Sequence, residues 1–441
     1  MGNRQFGGTA TGDWRRLRAA AGLTGAVLLF ATACSSGGGG GKPNADTAGK
    51  TADVATPAIT ITPADGSGKA QPDQGISVTS QNGALDSVSV QLKGKDVPGT
   101  LSADKTSWKS DWTLTPNSDY TVTATAKNAK KSATATSKFH TLKASSTLAI
   151  DSVFPTAGMK VGVGMPIIVN FNRDVTNKKA VEQALVVHSD KPNEGAWYWY
   201  GDSEAIFRTK QYWDPNQQIS FTAHLAGVKQ GTRTYGTENT TVNFKIGDSH
   251  ISKVSTTSHR MKVYLNGNLI KNVGISAGRG GLREYTTTNG VHLTMEKGYS
   301  TVMTSPNRKP GDPGYYKETV YWVVRISNSG EFVHSAPWSV YAQGHSNVSH
   351  GCVNAPPSFA KWFEGWSYVG DVVDITGTNR ELEFDNGYGY WQKSWASWVK
   401  GSETGAQSTA DAAAGATTSP SPSTSSSVVP SSAAPSASTT P

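Results

Sequence analysis

The chain has 441 residues, of which 36% are hydrophobic and 47 are glycines, a composition that supports about three folded domains. Only 17% of the residues are charged, which argues for β-rich domains and against helical bundles or coiled coils. The two cysteines, Cys34 and Cys352, exclude a disulfide scaffold and a cysteine-based zinc cluster. Of the net charge of +8, residues 1–34 supply +3, and the mildly basic remainder gives no support for nucleic-acid binding.

The N-terminus has the features of an export signal. A basic start ending at Arg18 precedes an uncharged apolar stretch over 19–31, which is too short to span a bilayer comfortably. Small residues then run into Cys34, so that residues 1–33 resemble a bacterial lipoprotein signal and Cys34 its lipidated cysteine. An ordinary signal peptide cleaved nearby is the alternative. Both predict a protein that works outside the cytoplasm, and the first predicts a lipid anchor in the membrane.

Two β-sandwiches are predicted after a tether. Residues 34–56 are rich in Gly, Ala, Thr and Lys, which is typical of a flexible tether. Over 57–146, apolar and polar residues alternate between turn signals, which predicts an immunoglobulin-like domain, and residues 114–120 resemble its tyrosine corner. Residues 147–248 predict a second such domain. The aromatic run 197–200 is expected in its core, with a glycan-binding strip as the alternative.

A third, mainly β domain is predicted over 249–376. The Asn-Gly pair at 266–267, between two alternating stretches, predicts a hairpin. Residues 359–366 follow a Pro-Pro-Ser start and predict a short apolar helix. The domain is therefore expected to contain several strands and little helix.

The C-terminal part divides into two segments. Residues 377–400 form a Trp-rich subdomain in which Trp391, Trp395 and Trp398 have the spacing of one helical face. Packing back on the domain is the favoured interpretation of that face, over ligand binding. Residues 401–441 are almost all Ser, Thr, Ala, Pro and Gly, which predicts a disordered tail.

Cys352 is the candidate nucleophile. Lipidation would consume Cys34, and a lone thiol that stays reduced in an exported protein is typical of a catalytic group. A buried inert cysteine is the usual alternative in a β-domain. Catalysis needs an imidazole that takes the thiol proton and later returns it to the leaving amine. His334, His345 and His350 are all candidates, and spacing alone does not choose among them.

A resemblance to a known family makes that choice. His334, fourteen intervening residues and then Ser-His-Gly-Cys-Val-Asn over 349–354 resemble the signature of the L,D-transpeptidases, whose catalytic domain is called YkuD. Actinobacterial members also carry tandem immunoglobulin-like domains, so the resemblance covers about 57–400. It implies that Cys352 is the nucleophile, that His334 is its base, and that the Ser335 carbonyl orients the imidazole.

The resemblance also implies roles for the residues around the pair. It assigns the oxyanion site and pocket to Gly351, His350, Asn354 and Tyr316, and substrate binding to Met303, Trp338 and Ser349. The flap over 305–314 lacks a second tyrosine, and Tyr315 is the less favoured alternative to Tyr316 as the flap tyrosine. No metal or cofactor is implied.

The implied reaction is acyl transfer between peptidoglycan stem peptides. Cys352 would attack the bond between the diamino acid at position three of a donor tetrapeptide and D-Ala at position four, releasing D-Ala. The side-chain amine of an acceptor stem would then resolve the thioester and form a 3→3 cross-link. Acylation by carbapenems is also implied. Hydrolysis of the thioester, as in an L,D-carboxypeptidase, and a non-catalytic wall-binding module are the alternatives. The expected location is the outer face of the cell membrane, with the chain reaching the wall.

Overall fold

The computed structural model describes residues 54–305 and 308–410. The predicted signal peptide, Cys34, most of the tether and the tail beyond 410 lie outside the described residues. Within them the chain is mostly β, as predicted, with three short α-helices. No helix in this part of the chain is long and apolar enough to cross a membrane.

The first domain is a two-sheet sandwich. Its strands are β1 (Ala58–Thr62), β2 (Ser77–Gln81), β3 (Ala84–Leu92), β4 (Lys95–Asp96), β5 (Gly99–Leu101), β6 (Ser107–Ser110), β7 (Asp119–Lys127) and β8 (Ser132–His140). One sheet has the order β1-β2-β6-β5 and the other β4-β3-β7-β8. On β7 every second residue from Tyr120 to Ala126 is buried, as alternation requires. The Thr115 N–H donates to the Tyr120 hydroxyl at 2.8 Å, which confirms the predicted tyrosine corner.

The second domain is larger and has the richest aromatic core. Its elements are β9 (Ser146–Leu148), β10 (Ile150–Phe154), β11 (Lys160–Val161), β12 (Ile167–Phe171), α1 (Lys178–Gln183), β13 (Leu185–Ser189), β14 (Glu194–Tyr200), β15 (Glu204–Thr209), β16 (Gln217–Ala223), β17 (Lys229–Gly231), β18 (Thr234–Gly236) and β19 (Thr240–Ile246). The strands β10, β12, β15 and β14 face the sheet β11-β19-β16-β13, and β17, β18 and β9 form a third, small sheet. Trp197 and Trp199 are both buried. The core interpretation of the aromatic run is therefore confirmed for these two residues.

The third domain carries the candidate site. Its elements are β20 (His250–Ser255), β21 (Arg260–Leu265), β22 (Asn268–Gly274), β23 (Gly290–Leu293), β24 (Lys297–Thr304), β25 (Lys317–Arg325), β26 (Phe332–Ser335), β27 (Val353–Ala355), α2 (Pro357–Trp366) and β28 (Val372–Thr376). The sheets have the orders β22-β21-β20-β28-β23 and β24-β25-β26-β27. Asn266 and Gly267 both have positive φ between β21 and β22, which confirms the predicted hairpin. The predicted apolar helix is α2, with Pro357 in its first turn.

The three tryptophans of the Trp-rich segment pack on the second domain, whereas residues 378–392 also form hydrogen bonds to the catalytic domain. A 3-10 helix (Gly389–Gln392) carries Trp391, and α3 (Trp395–Val399) carries the other two tryptophans, so the predicted single helical face is wrong. Trp398 is fully buried, and its Nε1–H donates to the Ala196 carbonyl at 2.9 Å. A break between the two short helices lets the rings cover β14 and β15, which one straight helix would not do.

The prediction of disorder from residue 401 is wrong for residues 401–410. The last strand, β29 (Gln407–Ser408), pairs antiparallel with β14, and Thr409 is fully buried. The buried carboxylate of Glu182 accepts hydrogen bonds from the backbone N–H groups of Glu403 and Thr404. The composition of this polar segment predicts no structure. The segment is nevertheless ordered by hydrogen bonds to one buried carboxylate that lies far away in the sequence.

Close backbone contact joins the second domain to the catalytic domain. The Gly162 N–H donates to the Val369 carbonyl at 2.8 Å, and a Cβ on Gly162 would lie 2.3 Å from the Asp371 nitrogen. Beside this contact the buried His250 Nδ1 lies 2.9 Å from Asp371 Oδ2, with the His250 ring stacked at 3.6 Å on Trp366. The contact therefore depends on a glycine and on a buried polar pair.

Candidate active site

A parallel pair of strands brings the predicted nucleophile and base to the same region of the sheet. Strand β26 pairs with β27, and His334 stands opposite Asn354 in the register. Cys352 directly precedes β27, so it reaches the same end of the strand pair as Val333 and His334. Parallel strands require a long connection, which here is the loop that carries Trp338 and the Ser-His-Gly-Cys run.

The tautomer of His334 follows from its hydrogen bond. Its Nδ1 lies 2.9 Å from the carbonyl oxygen of Ser335, which can only accept, so Nδ1 carries the proton. The lone pair is then on Nε2, as a general base requires. The side chain is 2% exposed, and burial lowers the pKa of His334 to about 4, against the opposing effect of the Ser335 carbonyl. The imidazole is therefore neutral at pH 7.

Cys352 is half-buried as a residue, and its thiol lies in an apolar corner beside Met303. Its Sγ is 3.9 Å from Met303 Sδ and 3.6 Å from the Gly330 carbonyl oxygen, to which the S–H donates. Burial raises the pKa of Cys352 to about 12, a hydrogen bond from the Phe332 N–H lowers it, and the Glu331 carboxylate raises it again. The environment therefore stabilises the thiol and disfavours the thiolate.

These two groups form a neutral resting pair. With a thiol pKa of about 12 and an imidazole pKa of about 4, the proton stays on sulfur at pH 7. Among the described residues, Cys352 makes no hydrogen bond to His334 and is directed to the Gly330 carbonyl instead. Both groups are therefore uncharged in the absence of a bound ligand.

The side chain of Ser349 forms hydrogen bonds across the loop that precedes Cys352. Ser349 Oγ donates to the Cys352 carbonyl oxygen at 2.6 Å and accepts from the Gly351 N–H at 3.1 Å. Gly351 has a φ of 124°, which favours glycine. Ser349, predicted to bind substrate, is 7% exposed and uses its hydroxyl inside the loop. The Gly351 N–H, predicted as an oxyanion donor, is likewise occupied by Ser349, whereas the Cys352 N–H makes no hydrogen bond within the described residues.

His350 belongs to an aromatic wall rather than to the nucleophile. Its ring stacks on Tyr316 at 4.8 Å between centroids and touches Tyr285 at 4.9 Å. The backbone of Tyr316 is fixed by Ser305, whose Oγ accepts from the Tyr316 N–H at 3.0 Å. Burial, followed by the nearby Cys352, raises the pKa of Tyr316. Tyr315 makes no ring contact with this wall in the part of the chain that the structure describes, so the geometry favours Tyr316.

The other predicted site residues surround the pair at different depths. Trp338 is 50% exposed, with its ring centroid 5.9 Å from that of His334. Asn354 is buried, and its Nδ2–H donates to Ser339 Oγ at 2.9 Å, which ties β27 to the turn that carries Trp338. No group of three or more His, Cys, Asp or Glu side chains in the described residues is arranged to hold a metal ion.

Two residues that the sequence reasoning missed support the nucleophile loop. Thr287 Oγ1 donates to the Gly351 carbonyl oxygen at 2.7 Å and accepts from the Gly278 N–H at 2.8 Å. The buried Glu331 lies on the loop directly before β26. The position of Glu331 directly before the apolar pair Phe332-Val333 could have indicated a buried carboxylate. No local sequence pattern indicated the role of Thr287.

Two protein families match the chain. Residues 67–229 match the bacterial Ig domain family (Big_10), a range that spans parts of both sandwiches, and residues 249–375 match the L,D-transpeptidase catalytic domain (YkuD). The second range contains the parallel strand pair, the Ser-His-Gly-Cys loop and the aromatic wall.

Individual relatives resemble the chain over most of its length. L,D-transpeptidase 2 of Mycobacterium tuberculosis is 34% identical over 382 residues, which cover 85% of this chain and 93% of that protein. L,D-transpeptidase 5 of the same organism is 32% identical over 351 residues, covering 78% and 76%. A solved structure of an L,D-transpeptidase in complex with imipenem is 30% identical, covers 52% of this chain and 99% of that one, and has a TM-score of 0.45. The chain belongs to the L,D-transpeptidase family.

Proposed function

We propose that this transpeptidase uses Cys352 as its nucleophile and His334 as its base to form 3→3 cross-links between peptidoglycan stems. The observation that carries the proposal is the His334 Nδ1 hydrogen bond to the Ser335 carbonyl, which leaves the lone pair on Nε2, on the strand beside the one that Cys352 precedes. A cysteine, an adjacent imidazole and a group that orients the imidazole are the parts that acyl transfer through a thioester requires.

Acylation begins with the donor stem. Cys352 Sγ bonds to the carbonyl carbon of the diamino acid at position three while His334 Nε2 takes the thiol proton. The tetrahedral intermediate then collapses, the bond to D-Ala breaks, and the imidazolium gives its proton to the departing amine. Because the resting pair is neutral, the enzyme does not have to hold a buried charge while it waits for substrate.

The second half of the reaction reverses these roles. The side-chain amine of an acceptor stem attacks the thioester carbon and gives a proton to His334. Cys352 leaves as the thiolate and recovers that proton, so the catalyst ends unchanged. Attack by an amine makes the cross-link, whereas attack by water would release a tripeptide.

Two donors are available for the oxyanion. The Cys352 N–H has no acceptor within the described residues, and Tyr316 is close enough to Cys352 for the two side chains to interact electrostatically. Donors that are oriented before reaction stabilise a developing oxyanion more than mobile water does. In this arrangement Gly351 acts through its backbone conformation and its hydrogen bond to Ser349 rather than as a second donor.

Carbapenems are expected to acylate the same sulfur. The strained β-lactam carbonyl takes the place of the stem peptide carbonyl, and opening of the ring leaves a thioester on Cys352. Intact-protein mass spectrometry of the folded chain with imipenem tests this, with Cys352→Ala as the control. Absence of an adduct on the unmodified chain would contradict the proposal.

We also propose an extracytoplasmic location with a lipid anchor at Cys34. The supporting observations are the basic start, the short apolar stretch and the small residues before the cysteine. The two sandwiches would then act as a spacer between the membrane and the wall. Membrane fractionation with metabolic fatty-acid labelling, compared between the natural chain and Cys34→Ala, tests the anchor, and equal labelling of both would reject it.

The activity is tested with tetrapeptide stems of defined composition. Cross-linked dimers with release of D-Ala are expected from the natural chain, and no product from Cys352→Ala or His334→Ala. Accumulation of tripeptide without dimers would establish the carboxypeptidase instead. Wall binding that survives in Cys352→Ala, with no product from either chain, would identify a binding module.

A further inference from the structure

Three buried polar side chains lie behind the nucleophile loop, and the proposed reaction uses none of them. Thr288 and His292 are fully buried and Glu331 is 3% exposed. The Thr288 N–H donates to Glu331 Oε1 at 2.7 Å, and Thr288 Oγ1 lies 2.5 Å from Glu331 Oε2 and 2.6 Å from His292 Nε2. We call these three side chains the Thr-His-Glu unit.

The hydrogen bonds fix how many protons this unit holds. His292 Nδ1 is 2.9 Å from the Gly290 carbonyl oxygen, which can only accept, so Nδ1 carries a proton. The Thr288 hydroxyl has one hydrogen and therefore donates to either Nε2 or Oε2, but not to both. The other of those two atoms must donate to the hydroxyl oxygen, and so it carries a proton as well.

The unit is therefore electrically neutral. A neutral imidazole and an ionised carboxylate would together carry one negative charge, and the additional proton cancels it. The proton is on His292 in one form and on Glu331 in the other, and both forms have the same net charge. Removing that proton would leave a short contact between two acceptors, which costs free energy in a buried site.

The unit is directly connected to the catalytic sulfur. Glu331 lies between Gly330, whose carbonyl oxygen is 3.6 Å from Cys352 Sγ, and Phe332, whose N–H is hydrogen-bonded to the thiol. A Cβ on Gly351 would lie 3.8 Å from Glu331 Cγ, so the Glu331 side chain packs against the back of the nucleophile loop. An ionised Glu331 at this position opposes formation of the thiolate.

We propose that the Thr-His-Glu unit is a proton-sharing device that keeps the carboxyl group of Glu331 electrically compensated behind Cys352. When Glu331 is ionised, His292 carries the balancing proton and donates it in a hydrogen bond to the Thr288 hydroxyl. When Glu331 carries the proton, His292 is neutral and accepts a hydrogen bond from Thr288. The Thr288 hydroxyl connects the two groups in both forms. His292 and Glu331 are thus positioning residues that act on the nucleophile through its electrostatic surroundings. The inference rests on the proposed role of Cys352, but the test below measures thiol ionisation and not cross-linking.

Few other titratable groups face these atoms. Asp374 on β28 is the second carboxylate near His292, and burial lowers the pKa of that histidine against the attraction of both carboxylates. Tyr316 and His334 are the titratable neighbours of Cys352 besides Glu331. None of these three is changed in the variants below, so their contribution is the same throughout.

The test compares Glu331→Gln, His292→Gln and the double variant in the full chain. In Glu331→Gln the amide N–H donates to the Thr288 hydroxyl, which donates to neutral His292, and this reproduces the neutral unit. In His292→Gln the new amide donates to Thr288 and lets Glu331 ionise without a balancing proton. The double variant contains no group that can ionise at this position.

The readout is the rate of Cys352 alkylation by iodoacetamide between pH 7 and 9, followed by intact mass. Below the thiol pKa this rate follows the thiolate fraction, so a one-unit rise in pKa slows it about tenfold. We expect His292→Gln to react about tenfold more slowly than the natural chain, and both Glu331→Gln and the double variant to stay within about twofold of it. Restoration in the double variant distinguishes charge from packing, because both variants lack His292.

Three outcomes would overturn the proposal. They are an unchanged rate in His292→Gln, a double variant as slow as His292→Gln, and a Glu331→Gln rate about tenfold faster than that of the natural chain. If His292→Gln does not fold, the alkylation rate of Glu331→Gln still tests the proposal, because a rate about tenfold faster than that of the natural chain would contradict it. Selective ¹⁵N labelling of histidine in the natural chain decides as well, because the proposal requires that His292 does not titrate between pH 5.5 and 8.5. Loss of cross-linking alone would bear on the proposed function and not on this unit.

Discussion

The guanidinium carbon of Arg208 on β15 lies 4.6 Å from the ring centroid of Trp398 on α3, and both side chains are buried. Trp391 faces the same guanidinium at 4.6 Å, and Arg208 Nη2 donates to the Lys393 carbonyl at 2.8 Å. Burial lowers the pKa of Arg208 to about 10, so the group remains charged at pH 7. One arginine of the second domain thus holds three parts of the Trp-rich segment.

Replacing Arg208 should release that segment. Arg208→Ala removes the buried cation, its hydrogen bond and its contacts with the rings, and we expect a loss of about 2–4 kcal/mol in the free energy of unfolding. Arg208→Lys keeps the charge without the planar group, and its free energy of unfolding should lie between those of the natural chain and Arg208→Ala. Chemical denaturation and limited proteolysis of residues 377–410 check this. An Arg208→Ala chain that resists proteolysis as well as the natural chain would contradict it.

Ser349 should matter for rate more than for binding. Ser349→Ala removes the hydrogen bonds to the Cys352 carbonyl and from the Gly351 N–H, which frees the loop behind the sulfur. Two buried hydrogen bonds at about 1 kcal/mol each predict a 10- to 30-fold slower acylation by imipenem. Ser349→Thr retains the hydroxyl and should recover most of the rate. Equal rates for the Ala and Thr variants would show that the hydroxyl is not needed.

His334 should make the protein sensitive to acid. Its pKa is about 4 when folded and 6.5 in the unfolded chain, so the unfolded state binds a proton first as the pH falls. The neutral imidazole therefore makes its full contribution to the free energy of unfolding above pH 6.5. As the pH falls from 6.5 to 4, about 3 kcal/mol of that free energy is lost. We expect the difference in unfolding free energy between the natural chain and His334→Gln to shrink over that range. A difference that does not depend on pH would contradict the buried neutral imidazole.

Glu182 should control whether residues 401–410 stay attached. Its carboxylate accepts hydrogen bonds from Trp199 Nε1–H and from Thr404 Oγ1–H, in addition to the two backbone N–H groups described above. Glu182→Ala leaves the buried Trp199 Nε1–H without an acceptor and removes the hydrogen bonds that hold residues 403 and 404, and we expect faster hydrogen exchange throughout 401–410. Glu403→Ala is the matched control, since its side chain is exposed and only its backbone is bound. Equal exchange in both variants would show that β29 pairs without Glu182.

Local features were predictable from the sequence because their causes are local. The Asn266-Gly267 turn, the tyrosine corner at Tyr120 and the alternation along β7 each depend on residues within a few positions of one another. The nucleophile and its base were assigned through the resemblance. The chemical argument alone left three histidines open, because the pairing of β26 with β27 joins positions twenty residues apart.

Features that depend on distant partners were not predictable. Residues 401–410 have the composition of a disordered tail, and their structure comes from Glu182 and β14, about 200 residues earlier. The use of the Ser349 hydroxyl inside the loop likewise depends on how the chain turns at Gly351. Composition and spacing contain no information about either partner.

Because β29 pairs with β14, the chain returns to the second domain after the catalytic domain. This return determines which domain would carry a mechanical force applied to the two ends of the folded region. The polypeptide leaves the second domain after β19, forms the whole catalytic domain, and comes back to be fastened by Arg208, Glu182 and β29. A pull applied between residue 147 and residue 410 therefore enters and leaves through the second domain. As long as those contacts hold, tension between the two ends bypasses the strand that carries His334 and the strand that follows Cys352, and the geometry around His334 and Cys352 is preserved.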